Sequence, residues 1–124
     1  MCSVYARCTV GATGALTLVT ANGQSNGVTS VARNSAGDYT FTLQDAWVRM
    51  YGARVSFDES GGSAPSVPAA PFAFVKAYNL ASSAKTIEVV FTAASGASGA
   101  LVATDPANHE AFWIEFVLQN STAV

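Results

Sequence analysis

Apolar residues recur at every second position in several short runs, and glycine, asparagine or aspartate breaks the chain between those runs. Side chains on a strand point to alternate faces, so this spacing gives each run one apolar and one polar face, the pattern of half-buried β-strands. Residues 15–20 place Leu16 and Leu18 opposite Thr17, and residues 39–43 set Tyr39, Phe41 and Leu43 against Thr40 and Thr42. Each run exposes a threonine face. Further on, Ile87, Val89 and Phe91 fall on one side with Glu88 and Thr92 on the other, while Val90 breaks the alternation and implies partial burial of both sides. In residues 112–118, Phe112, Ile114, Phe116 and Leu118 share a core-facing side. Trp113 and Val117 join Glu115 on the other, which predicts a cover over that second face.

Weaker strand signals occupy residues 4–10, 28–33, 54–58, 72–78 and 101–103. Between the runs lie turn formers: Asn22-Gly23, Asn26-Gly27, residues 34–38 with Gly37, Gly61-Gly62, Gly96, Gly99 and Asp105-Pro106. The pattern predicts an all-β fold, a compact antiparallel β-sandwich or jelly-roll-like barrel of about eight or nine short strands with at most one short helical turn. The one helical candidate, residues 43–51 closed by Gly52, is too short to anchor a helical fold and reads as a turn-like excursion. Residues 60–71 are rich in Gly, Ser and Pro and predict a long connection between two sheet strands. Residues 93–100, all Ala, Ser and Gly, predict a mobile exposed loop.

At 124 residues the chain predicts a single domain, 1–124. Half of its residues are apolar, enough for a packed core, but only 11% are charged. That is well under the roughly 25% of an average soluble domain, and a surface so short of charge suits a subunit covered by neighbours. The net charge of −2 lacks the cationic excess needed to hold a phosphate backbone, so nucleic acid is not an expected partner. No stretch approaches the ~18 to 20 apolar residues of a membrane-spanning helix, so no membrane association is expected. The first residues lack a basic start and a long apolar run, which predicts synthesis in a cytosol without a secretory signal. If Cys2 and Cys8 lie on one strand, their Cα atoms are ~20 Å apart at roughly 3.3 Å per residue, which predicts free thiols and disfavours a metal pair.

Candidate chemistry is sparse. His109 follows Asp105 and precedes Glu110, but the spacing fixes no loop geometry for three metal ligands and places no nucleophile beside the imidazole. It reads as a loop or interface residue. Asp58-Glu59 beside Gly61-Gly62 offers too few oxygen ligands for a calcium loop and reads as a solvated strand end. The Gly11 to Gly14 turn lacks the lysine of a phosphate loop, and the Asn120-Ser121-Thr122 sequon has no role without secretion. No catalytic, metal-binding or cofactor-binding residue is assigned, and no cofactor is expected. Trp47, Met50 and Tyr51 either cap the open end of a sandwich or, with Trp113, form an assembly interface, since aromatic residues and Met are enriched at interface cores.

The run from Gly27-Val28-Thr29-Ser30-Val31 through Arg33, Gly37-Asp38-Tyr39-Thr40 and Thr42-Leu43 resembles a hairpin of small structural proteins from tailed bacteriophages. Asp45-Ala46-Trp47 and Ala103-Thr104-Asp105-Pro106-Ala107-Asn108 match the same pattern. The resemblance implies a non-enzymatic virion protein, a capsid decoration or cement protein of the head surface that forms a homotrimer and binds the major capsid protein. It would be made in the bacterial host cytoplasm. The alternative is a tail-fibre or baseplate module for host glycans, for which Trp47, Tyr51, Tyr78 and Trp113 are the available rings. A hydrolase using paired carboxylates is a third reading, for which the sequence fixes no separation between the two groups.

Overall fold

In a computed structural model the described residues are 2–58, 72–95, 99–106 and 111–119. They form nine strands: β1 (Cys2–Val10), β2 (Leu16–Val19), β3 (Val28–Ser35), β4 (Asp38–Leu43), β5 (Arg49–Asp58), β6 (Phe72–Asn79), β7 (Thr86–Ser95), β8 (Ala100–Ala103) and β9 (Ala111–Gln119). Short 3-10 turns cover Ala12–Gly14 and Ala21–Gly23. One antiparallel sheet has the order β2-β1-β9-β5, and the other has β3-β4-β7-β6 with β8 also pairing β7. The fold is a β-sandwich of a four-stranded and a five-stranded sheet, in keeping with the alternation.

The core forms where the inward positions of the central strands meet. From one sheet come Val4, Ala6, Cys8 and Val10 of β1 and Phe112, Ile114, Phe116 and Leu118 of β9; from the other come Tyr39, Phe41 and Leu43 of β4 and Ile87, Val89 and Phe91 of β7. Aromatic rings join the layers. Phe91 and Phe112 lie 5.1 Å apart between centroids, and Phe41 meets Phe116 edge-on at 5.6 Å. Such pairs add about 0.5–1.5 kcal/mol each beyond their buried area.

Two elements depart from the sequence reading. β5 begins at Arg49 and so includes the end of the 43–51 excursion, because a bulge at Tyr51 inserts one residue between the pairs Met50↔Leu118 and Gly52↔Val117. That extra residue shifts the period and hides the first part of the strand. β7 runs on through Ser95 and pairs with β8, so both ends of the 93–100 stretch are strand rather than loop. Ladder hydrogen bonds hold those small residues in place without large side chains. Residues 60–71 lie outside the described residues.

Among the described residues no further strand pairs with β5 or β6, which form the sheet edges on one flank of the sandwich. The layers separate there, leaving a cavity of about 280 Å³ lined by Ala53, Val55, Ala73, Val75, Val89 and Ile114 among others.

Candidate functional site

Four residues of the pattern that resembles phage structural proteins, Arg33, Gly37, Tyr39 and Asp105, converge in space. Asp105 lies just beyond β8 and accepts hydrogen bonds from Arg33 of β3 through Nε (3.1 Å) and a terminal guanidinium nitrogen (2.8 Å). Its Oδ1 also accepts from the Gly37 backbone N–H at 2.7 Å and from the Tyr39 hydroxyl at 2.9 Å, a donor shared with the Gly14 carbonyl at 2.6 Å. Burial alone would raise the Asp105 carboxyl, but the Arg33, Gly37 and Tyr39 hydrogen bonds outweigh it and hold the group below the usual carboxylate range. Burial and then the Asp105 hydrogen bond push the Tyr39 hydroxyl upward. Gly37 has φ +72°, and a Cβ there would stand 2.5 Å from the Phe91 carbonyl oxygen and from Thr104 N, so only glycine fits. These residues fasten the β3–β4 hairpin to β7 and to the segment after β8. The motif is thus a device of the fold, with its polar groups committed to one another.

A second polar cluster lies on the outer face of the five-stranded sheet. Lys76, the bulged residue of β6, contacts Asp38 Oδ2 and Glu88 Oε2 at 3.2 Å each, and Asn34 donates to Asp38 Oδ1 and to Thr40 Oγ1. Burial raises the Asp38 carboxyl, yet its hydrogen bonds with Glu88, Asn34 and Lys76 leave it below its ordinary value.

Beyond this cluster the same face turns apolar. Register sets Phe74 beside Val90, Phe72 beside Thr92 with Ala103 on its other side, and Ala94 beside Leu101. All of these point away from the core, since Ile87, Val89 and Phe91 occupy the inward positions of β7. Phe72, Phe74 and Leu101 are 54%, 53% and 61% exposed, while Val90 and Thr92 between them are buried. The result is a continuous apolar strip across β6, β7 and β8. Near its middle the Thr92 hydroxyl is buried with no hydrogen-bond partner among the described residues. Soluble monomers seldom present a rimmed apolar strip of this kind, and a buried hydroxyl left unpaired is costly until something supplies a partner.

The four residues proposed from sequence for an interface do not form one surface. Trp47 and Met50 pack against the core, and the Trp47 indole nitrogen is buried without a hydrogen-bond partner among the described residues. Tyr51 and Trp113 lie on the outer face of the four-stranded sheet, with the Tyr51 hydroxyl bonded to Gln119. Gln119 and Trp113 are six residues apart on β9, or about 20 Å at roughly 3.3 Å per residue. Tyr78, the remaining ring considered for glycans, stands on the β6 edge of the other sheet. The predicted second face of β9 has no covering layer among the described residues: Trp113 remains 37% exposed. It contacts Tyr5, whose ring centroid is 6.1 Å away, and the Arg7 guanidinium, 5.4 Å from the indole centroid.

The apolar strip escaped the sequence reading, although its signal is present. Phe72 and Phe74 share one parity of β6 with Ala73 and Val75 on the other, so that strand has no polar face at its start. Leu101-Val102 is the only bulky pair in a run of small residues. His109, Glu110, Glu59, Gly61 and the 120–122 sequon lie outside the described residues, as does the Asp58 side chain. The two cysteines are free, Cys2 exposed and Cys8 buried in the core. Compared with known protein families, curated proteins and solved structures, the chain matches none.

Proposed function

We propose that the protein is a non-enzymatic structural component of a tailed-phage virion, a capsid decoration protein that forms a homotrimer on the head and ties neighbouring major capsid subunits together. The observation that carries this reading is the apolar strip of Phe72, Phe74 and Leu101 over the unpartnered Thr92 hydroxyl. It lies beside the edge of β6 that no other described strand pairs. A neighbouring copy laid on this face removes the exposed rings from water and gains backbone hydrogen bonds along the β6 edge. Few charges have to be desolvated, because only 11% of the residues carry one. The resemblance of the β3–β4 hairpin and the Asp105 segment supports the phage setting. A rigid sandwich repeated over a lattice strengthens a shell through many weak contacts acting together.

Electron microscopy of particles assembled with and without the chain tests the proposal. Added density at symmetry axes of the head is expected. Density confined to the tail, or identical particles in both preparations, overturns it.

A further inference from the structure

The outer face of the four-stranded sheet presents a different kind of surface. Register aligns Ser56, Trp113 and Arg7 in one cross-strand row and Arg54, Glu115 and Tyr5 in the next. The Arg7 guanidinium, from β1, lies over the indole at 5.4 Å from its centroid, a cation–π contact. Between these two rows, beside the small Ser56, lies a cleft of about 410 Å³ bounded by Trp113, Ser56, Arg54, Glu115 and Tyr5. Ligand clefts commonly span roughly 300–1,000 Å³, so this one suits a single small ring. Arg54 Nε and a terminal guanidinium nitrogen both meet Glu115 Oε1, at 2.8 and 2.7 Å.

We propose that this cleft binds one neutral hexopyranose ring, stacked on the Trp113 indole that lines it and hydrogen-bonded by Arg54, Glu115 and Ser56. The chemistry of each wall selects that class. The negative face of an indole attracts the weakly positive C–H groups on one side of a pyranose, a contact that an apolar chain or an anionic ring makes less well, while the Arg7 guanidinium already over the indole repels a cationic ring. Sugar hydroxyls both donate and accept, and the guanidinium and carboxylate side by side offer donors and an acceptor within one hydroxyl spacing. Because those two charges cancel, an ionic ligand gains nothing from the wall and a neutral one loses nothing. The cleft is on the opposite side of the sandwich from the apolar strip, so the inference does not depend on where, or whether, the protein assembles.

The test uses the full-length protein in its own oligomeric state and ligand-observed saturation-transfer NMR, which does not rely on the tryptophans as reporters. The probes are methyl β-galactopyranoside, methyl β-glucopyranoside and methyl N-acetyl-β-glucosaminide, titrated to about 100 mM. A single small ring of this size binds with a Kd on the order of 1 mM. At least one probe is expected to saturate the wild-type protein. Trp113→Ala should weaken that binding by about tenfold or more, Ser56→Phe, which fills the cleft, should abolish it, and Trp47→Phe should leave it unchanged. Circular dichroism confirms that each variant is folded, and Ser56→Phe carries the test if Trp113→Ala is not. No saturable binding of any probe by the wild type, or binding that survives Ser56→Phe, overturns the proposal.

Discussion

Replacing Asp105 by alanine separates the buried and exposed parts of the network that locks the β3–β4 hairpin. The Gly37 N–H is buried and loses its acceptor at 2.7 Å. An orphaned buried donor costs about 1–3 kcal/mol. The Tyr39 hydroxyl retains the Gly14 carbonyl at 2.6 Å and adds little, while a small void replaces the carboxylate. The sum is about 2–4 kcal/mol, a large part of the 5–15 kcal/mol typical of a domain. At about 2 cal/mol/K per residue of unfolding entropy, that lowers Tm by roughly 8–15 °C. The assay is urea unfolding followed by circular dichroism, with the midpoint falling and the slope unchanged. Asp105→Asn keeps an acceptor for Gly37 and should fall between wild type and Asp105→Ala. Arg33→Ala removes only the solvent-exposed partner of the pair and should shift the midpoint less than a third as far. Equal shifts for Asp105→Ala and Arg33→Ala would refute the reasoning, because the network would then act as a surface ion pair.

Asp38 and Asp105 are both held below the usual carboxylate range. The unfolded chain therefore takes up protons at a higher pH than the folded one, and the stabilisation present at neutral pH is lost as pH falls through about 4 and below; urea midpoints at pH 7, 5 and 3 should decline in that order, and a midpoint that rises toward pH 3 contradicts the assignment. Gly37→Ala should destabilise by about 3 kcal/mol or more, since its Cβ meets backbone atoms at 2.5 Å, whereas Gly23→Ala, also at positive φ but with nothing within 4 Å, should cost only about 1 kcal/mol in thermal melts. Burial pushes the Cys8 thiol up to about 12 despite the nearby Arg7, while Cys2 is exposed; a thiol reagent at pH 8 should modify Cys2 in the native protein and Cys8 only after unfolding, and equal rates for both would argue against the packed core around β1.

Strands whose inward positions are large and apolar at every second residue, such as β4 and β9, are legible because burial of one face leaves its mark at period two. β5 was half hidden: the bulge at Tyr51 breaks the period just where the strand pairs with Gln119 and Leu118. The Asp105 network was invisible for another reason. Its members are 66 to 72 residues apart in sequence for the Tyr39 and Arg33 contacts, and no local rule links a carboxylate to a hairpin so distant. Sequence could place Trp113 on the outer face of β9 but not beside Tyr5, Arg7 and Arg54, since those neighbours follow from the strand order β1-β9-β5. The apolar strip likewise needs β8 to be aligned with β7 and β6 before Leu101 and Phe72 share a face.

The account turns on the outer face of the five-stranded sheet being covered by another copy of the chain. Sedimentation velocity of the wild type and of a Phe72→Lys/Phe74→Lys double variant measures that most directly, with circular dichroism confirming that both are folded. Both side chains are exposed in the single chain, so the substitutions leave its core intact. The account predicts a trimer for the wild type and a folded monomer for the variant. A wild-type monomer at all concentrations, or a variant that still sediments as a trimer, would contradict it.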